Sequence, residues 1–411
     1  MKRPNFLNIM IFFISVIFVF LAYFMQTVLA STSDHFQSTI NISSNSIVML
    51  SSLFFIIYGI MQIPMGVLID RYGIQVLLPI SIGVTLLGAI LFWLTNSPST
   101  LLISRTVEGL GTCSAYVIAL FIASNFFRQK YFVIMIAIIE MISMLGDLLA
   151  TETYGNFIHV VGWDFANLTI ILIVVLLFVA SIYSSLSQKT VKNLEVKIKI
   201  KQVFHNTLTL FTNIDLLLLL GYVFFTWAAI MSMAGYWAKD YYSMVHEYSS
   251  QDSLRLMEIY WVGLFVGCPV IGFIAIRFGN MAKILIGLAM SNFVLQIMLA
   301  QPEILSFSTL ITITFLIGFM SSGVILAFSV LPKIIPSHLE STAISILNMG
   351  IIFGGLFGQI IFGQIMLNLN ITQFVPIYSP QGNYYTALFI APISAILASL
   401  STIAIYKKLN C

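Results

Sequence analysis

Long apolar runs, each about the length of a bilayer crossing, alternate with short polar breaks along the whole chain. A membrane-spanning helix needs about 20 mostly apolar residues, and the pattern offers twelve such runs. They predict α1 at 6–29, α2 at 46–69, α3 at 76–94, α4 at 101–127, α5 at 132–158 and α6 at 165–186. A polar, lysine-rich connection follows at 187–213. Then come α7 at 216–238, α8 at 256–276, α9 at 282–299, α10 at 307–331, α11 at 342–367 and α12 at 385–406. The expected fold is an all-α membrane protein of twelve transmembrane helices in two six-helix bundles, 1–186 and 214–411, joined by a cytoplasmic linker at 187–213.

Composition removes the soluble alternative. Of 411 residues, 59% are hydrophobic and 8% charged, and the mean hydropathy is +1.02. A soluble domain carries roughly 25% charged residues, so there is too little charge here to coat a water-facing surface. The chain opens Met1-Lys2-Arg3 before its first apolar run. That run outlasts the usual ~7–15 residue core of a signal peptide and is expected to stay as an uncleaved first helix.

The basic residues orient the layout. With the amino terminus in the cytoplasm, cytoplasmic segments hold 15 of the 18 lysines and arginines, the opposite side holds Lys239 and Arg255, and Arg105 lies within α4. This is a strong positive-inside bias, and it places both termini in the cytoplasm; the expected location is a bacterial inner membrane. The net charge of +3 calls for no nucleic-acid partner. The lysine cluster at 189–201 is explained by topology, with anionic lipid headgroups as the other reading. The three cysteines and five histidines show no metal-ligand spacing, and no cofactor is expected.

The chain also repeats itself. Gly66, Arg71, Tyr72 and Gly73 at the end of α2 align with Gly272, Arg277, Phe278 and Gly279 at the end of α8, at a constant offset of 206 residues. Parallel six-helix halves of this kind are a transporter architecture with the substrate site near mid-membrane. On these residues the chain resembles the major facilitator superfamily of secondary transporters over essentially its full length. The family's loop signature appears as Gly66, Asp70, Arg71 and Gly73, then departs at Ile74 and Gln75, where basic residues are usual. The family's helix 4 pattern appears as Arg105, Gly109 and Gly111. The antiporter signature expected in α5 is absent, which weakens a drug-export reading. Tyr58, Gln62, Pro64 and Gly66, with 348–363 in α11, look like uptake-type bacterial members and the lysosomal dipeptide transporter branch.

Asp70 ends α2, where its own helix dipole disfavours an anion, so it needs an outside partner. The resemblance implies the start of α11 near Ser341 and Thr342, a contact that would latch the cytoplasmic gate. The alternative is a plain loop aspartate paired with Arg71. Gly66, Asp70, Arg71, Gly73 and Arg277 are the expected gating residues.

Ionisable residues inside spans are costly and by default suggest a functional site. The first half holds Arg105 and Glu108 in α4 and Glu140, Asp147 and Glu152 in α5. At about 1.5 Å per residue, Arg105, Glu152 and Glu108 lie roughly 6–10 Å from the external end, Asp147 roughly 16 Å and Glu140 roughly 27 Å. These five are expected to line an aqueous cavity. Arg105 would hold an anionic group, and Asp147 or Glu140 would bind and release a proton. The alternative is a static ion-pair network orienting α4 and α5. Tyr23, Gln26, Tyr58, Gln62, Trp227, Asn348 and Gln359 are candidate substrate contacts, with packing as the plainer reading of each.

The expected function is secondary active transport of a small polar or anionic solute, by proton symport, as a monomer in the lipid bilayer. An exporter or uniporter of the same fold is the nearest alternative, and a non-transporting sensor or scaffold the next. No nucleophile–base pair, metal cluster or phosphate loop supports an enzyme.

Overall fold

The computed structural model describes residues 6–187, 207–234, 238–300, 305–367 and 387–409. Most of the expected linker, the expected end of α7 and the expected start of α12 lie outside the described residues. Every regular element among the described residues is a helix. Among the described residues eleven helices are long and apolar enough to cross a membrane, and the described part of α12, Ile390–Leu409, carries a shorter apolar stretch.

Local chemistry sets the helix ends. α1 is Phe6–Ser31. α2 is Ser44–Tyr72, capped by the Ser43 side chain. Gly73, at φ +77°, turns the chain directly into α3, Ile74–Trp93. A Ser97/Thr100 capping box with Pro98 in the first turn starts α4, an arrangement that satisfies otherwise orphaned N–H groups. α6 is Trp163–Ser187, α7 Ile214–Ala234, α8 Ser250–Phe278, α9 Met281–Leu299 and α11 Glu340–Leu367.

Three spans expected to be continuous are interrupted. α4 is Pro98–Thr112 then Ala115–Phe126, and α10 is Phe307–Ser321 then Val324–Ile334. The breaks fall in the fourth helix of each half. α5 runs Gln129–Leu148, passes through a π-helical turn at Leu149–Thr153 and resumes at Tyr154–Val161. Two short helices were not anticipated, Ser33–Ile40 and Ala238–Val245. The first is held by His35 stacked on Trp163 at 3.7 Å. Burial there pushes the His35 imidazole below its ordinary pKa, and Asp164 opposes the shift.

The chain forms two compact units. One takes in Met1–Leu210 together with Ile335–Asn348; the other takes in Phe211–Ile334 and Met349–Cys411. In the first, α4 is the central helix, with 83% of its apolar window buried, against 28% for α6. α3 and α6 leave Ile80, Leu87, Leu172, Leu176 and Val179 exposed. In the second unit α9 and α12 likewise expose Val294, Ile393 and Leu400. Such apolar faces require hydrocarbon rather than water around them.

Within the second unit, α11 presses onto α7. A side chain at Gly354 would strike the Phe224 carbonyl, and one at Gly358 the Ala228 carbonyl. Small residues let helix backbones approach this closely. Gly354→Val is expected to cost about 1–3 kcal/mol by overpacking, read as a lowered unfolding temperature in nanodiscs. An unchanged temperature would refute this packing account.

Candidate functional site

α4 carries its two charges into the middle of the first unit. The Arg105 guanidinium donates to Glu108 at 2.5 Å, to the Met25 carbonyl at 2.7 Å and to the Gln26 carbonyl at 3.2 Å. It also lies 4.5 Å from the centroid of the Phe54 ring. Gly88 on α3 leaves room for Glu108, because a side chain there would strike the Glu108 Cγ. Behind Glu108 is a cavity of about 20 Å³ lined also by Tyr154 and Asn167, enough for one water. Arg105 and Glu108 are 0% and 1% exposed. They tie α4 to α1 and α2 and do not face a cavity open to solvent.

α5 presents a different arrangement. Glu140 accepts a short hydrogen bond from the Tyr116 hydroxyl of α4. Asp147 accepts from Thr27 of α1 at 3.2 Å. The two acids are seven residues apart, so they share nearly one helix face, and both are partly accessible. Tyr23 of α1 is close enough to couple electrostatically to Tyr58, Glu140 and Asp147, and Ser143 donates to the Glu140 carbonyl at 2.7 Å. Among the described residues neither acid forms an ion pair; the two pairs present are Arg105–Glu108 and the exposed Arg255–Asp252. Glu152 does not join them. It stands exposed on the π-helical turn Leu149–Thr153.

The third arrangement joins α2 to the start of α11. Asp70 accepts from the Ser341 N–H at 3.0 Å, the Thr342 N–H at 2.8 Å and the Thr342 hydroxyl at 2.6 Å. An anion at a helix amino terminus is in its favourable place. Arg71 lies over the Tyr72 ring at 4.9 Å and does not pair with Asp70. One turn up α2, a side chain at Gly66 would strike Ser345 and the Ser341 carbonyl. Another turn up, Gln62 is fully buried. It donates to the Tyr58 carbonyl at 3.2 Å and the Cys113 carbonyl at 3.0 Å, and accepts from Asn348 at 2.9 Å. The Tyr58 hydroxyl lies beside them without a well-formed hydrogen bond.

The second unit contributes mostly uncharged groups. The buried Trp227 N–H has no acceptor, and its ring lies 6.4 Å from Trp261. Gln359 reaches the Met231 sulfur at 3.7 Å. Arg277 is exposed at the end of α8. Gln26 takes part through its carbonyl oxygen, in the contact from Arg105.

Sequence reasoning missed Tyr116, Thr27, Ser143 and Asn125, which donates to Glu340 of α11 at 3.2 Å. It also missed Asn292, which donates to Ser321 at 2.8 Å, and the buried Gln296 one turn on, whose amide lacks protein partners. The four-residue spacing of Asn292 and Gln296 in an apolar helix was the available signal.

Comparison with known proteins follows the same architecture. The family model described as Major Facilitator Superfamily matches residues 12–359. An "uncharacterized transporter" of Buchnera aphidicola subsp. Schizaphis graminum is 29% identical over 161 residues, 36% of this chain and 40% of that protein. The crystal structure of the transporter FucP in the outward conformation superposes with a TM-score of 0.72 at 16% identity, covering 96% of this chain and 99% of FucP. The proton:xylose symporter XylE bound to 6-bromo-6-deoxy-D-glucose superposes with a TM-score of 0.68 at 14% identity, covering 96% and 94%.

Proposed function

The chain belongs to the Major Facilitator Superfamily and is a membrane transporter, and on that premise we propose that it is a proton symporter for a small, neutral polar solute. The observation that carries this reading is the α5 acid pair, Glu140 and Asp147, held by hydroxyl donors and facing no cation. A carboxylate without a cationic partner inside a span is costly while charged. Binding a proton discharges it; releasing that proton on the other side of the membrane restores it.

In this reading twelve helices form two halves with both termini in the cytoplasm of a bacterial inner membrane. The halves rock around a mid-membrane site in a monomer. The substrate is neutral rather than anionic because Arg105, the cation deepest in the spans, is spent on Glu108 and two carbonyls. Tyr23 and Tyr58 in the first unit, and separately Trp227 and Gln359 in the second, are polar and aromatic groups of the kind a hydroxylated solute needs. The fold is shared with a proton:xylose symporter and a fucose:proton symporter, which supports the reading. Arg105 and Glu108 act as a brace between α4 and α1.

Asp70 closes the cytoplasmic gate by holding the start of α11. An anion in this position is worth about 1–2 kcal/mol, or roughly a five- to thirty-fold shift in the gate equilibrium. Asp70→Asn keeps the size and one acceptor but removes the charge. It is expected to lower transport severalfold at equal expression, measured as initial uptake in proteoliposomes. An unchanged rate would remove Asp70 from the gate.

A further inference from the structure

Positions 62, 66 and 70 of α2 lie one turn apart on one stripe. They meet Asn348, Ser345 and Ser341–Thr342 of α11 in the reverse order, as the antiparallel run of the two segments requires. The three contacts form a ladder rather than a single latch. Its lowest rung is a carboxylate on backbone N–H groups, its middle rung is steric, and its top rung is a buried amide pair. The α11 segment that groups with the first unit ends at Asn348, at that top rung; Met349 onward groups with the other unit.

The Gln62 amide is saturated. Its two contacts within the first half, to the Tyr58 and Cys113 carbonyls, do not involve α11. The third, from Asn348, does. Parting the segments strands two buried amides, and a buried polar group left unpaired costs more than a solvated one. Gln62 and Asn348 were expected as substrate contacts, yet each is 0–2% exposed and occupied by the other.

We propose that the Gln62–Asn348 amide pair is the inner bolt of the cytoplasmic gate, a positioning pair that holds 335–348 on the first unit and must break for the gate to open. The proposal rests on the gate reading of Asp70, and its test separates the two. The readout is hydrogen–deuterium exchange of peptides covering 335–348, measured on the full-length protein in lipid nanodiscs, where the Ser341 and Thr342 N–H groups report on opening.

Asn348→Ala removes the rung while leaving both helix 2 and helix 4 contacts of Gln62. It is expected to speed exchange of 335–348 roughly three- to tenfold, with exchange across 101–126 unchanged. The paired swap Gln62→Asn with Asn348→Gln keeps an amide on each side and is expected to recover at least part of the protection. Asp70→Asn is the control for the gate itself and is expected to speed the same peptides. Faster exchange with Asp70→Asn but not with Asn348→Ala overturns the amide bolt and leaves the gate standing. No change with either variant overturns both. Faster exchange throughout the first unit, with no recovery in the swap, assigns Asn348 to general packing and also overturns the proposal.

Discussion

Proteoliposomes carrying Asp147→Asn are expected to equilibrate substrate across the membrane but to lose its proton-driven accumulation by tenfold or more. The substitution preserves volume, and the new amide oxygen still accepts from Thr27, as the carboxylate does at 3.2 Å. What it removes is the proton-binding site. Substrate exchange with no imposed gradient should therefore survive within a fewfold, because exchange needs access but no net proton movement. Glu140→Gln is expected to act in the same direction, since Tyr116 can still donate to the amide oxygen. Running exchange and gradient-driven uptake on the same vesicles separates loss of coupling from loss of folding. If both acids can be neutralised together with accumulation unchanged, the coupling assignment is wrong.

Arg105→Ala is expected to have the largest effect on stability. It leaves Glu108 buried without its 2.5 Å partner and strips donors from two α1 carbonyls. Breaking one side of a buried pair typically costs about 3–5 kcal/mol. Replacing both partners by apolar residues of similar size is often close to neutral, so Arg105→Met with Glu108→Leu should recover much of the loss. Thermal unfolding in nanodiscs measures this. Recovery of folding together with coupled transport would support the brace. A stable double variant that no longer couples protons would return Arg105 and Glu108 to the transport chemistry.

The sequence made the apolar helices readable because a bilayer imposes length and hydropathy directly on the chain. Asp70's need for an outside partner was readable because a carboxylate is disfavoured at the carboxyl end of its own helix; the start of α11 as that partner came from the family resemblance. The α5 acids were readable because charge inside a span stands out. Backbone register was not. Hydropathy runs straight through Cys113–Ser114 and Ser322–Gly323, which remain apolar or small while the helix is interrupted, and nothing in the composition of Leu149–Thr153 distinguishes a π-helical turn from an α-helical one. The pairing of Gln62 with Asn348 was also illegible. Each lies on an apolar helix whose period gives a face but no partner, and the two are 286 residues apart. Polarity made both look like substrate contacts, whereas each is buried and hydrogen-bonded to the other.

The central claim is proton symport of a neutral polar solute. Its most direct test is proteoliposomes loaded with a pH-sensitive dye and offered panels of sugars, amino acids, dipeptides and organic acids one at a time. At least one neutral hydroxylated solute is predicted to drive protons inward on addition, with the signal lost in Asp147→Asn. A solute carried at the same rate with no proton movement, in wild-type protein and variant alike, would contradict the account.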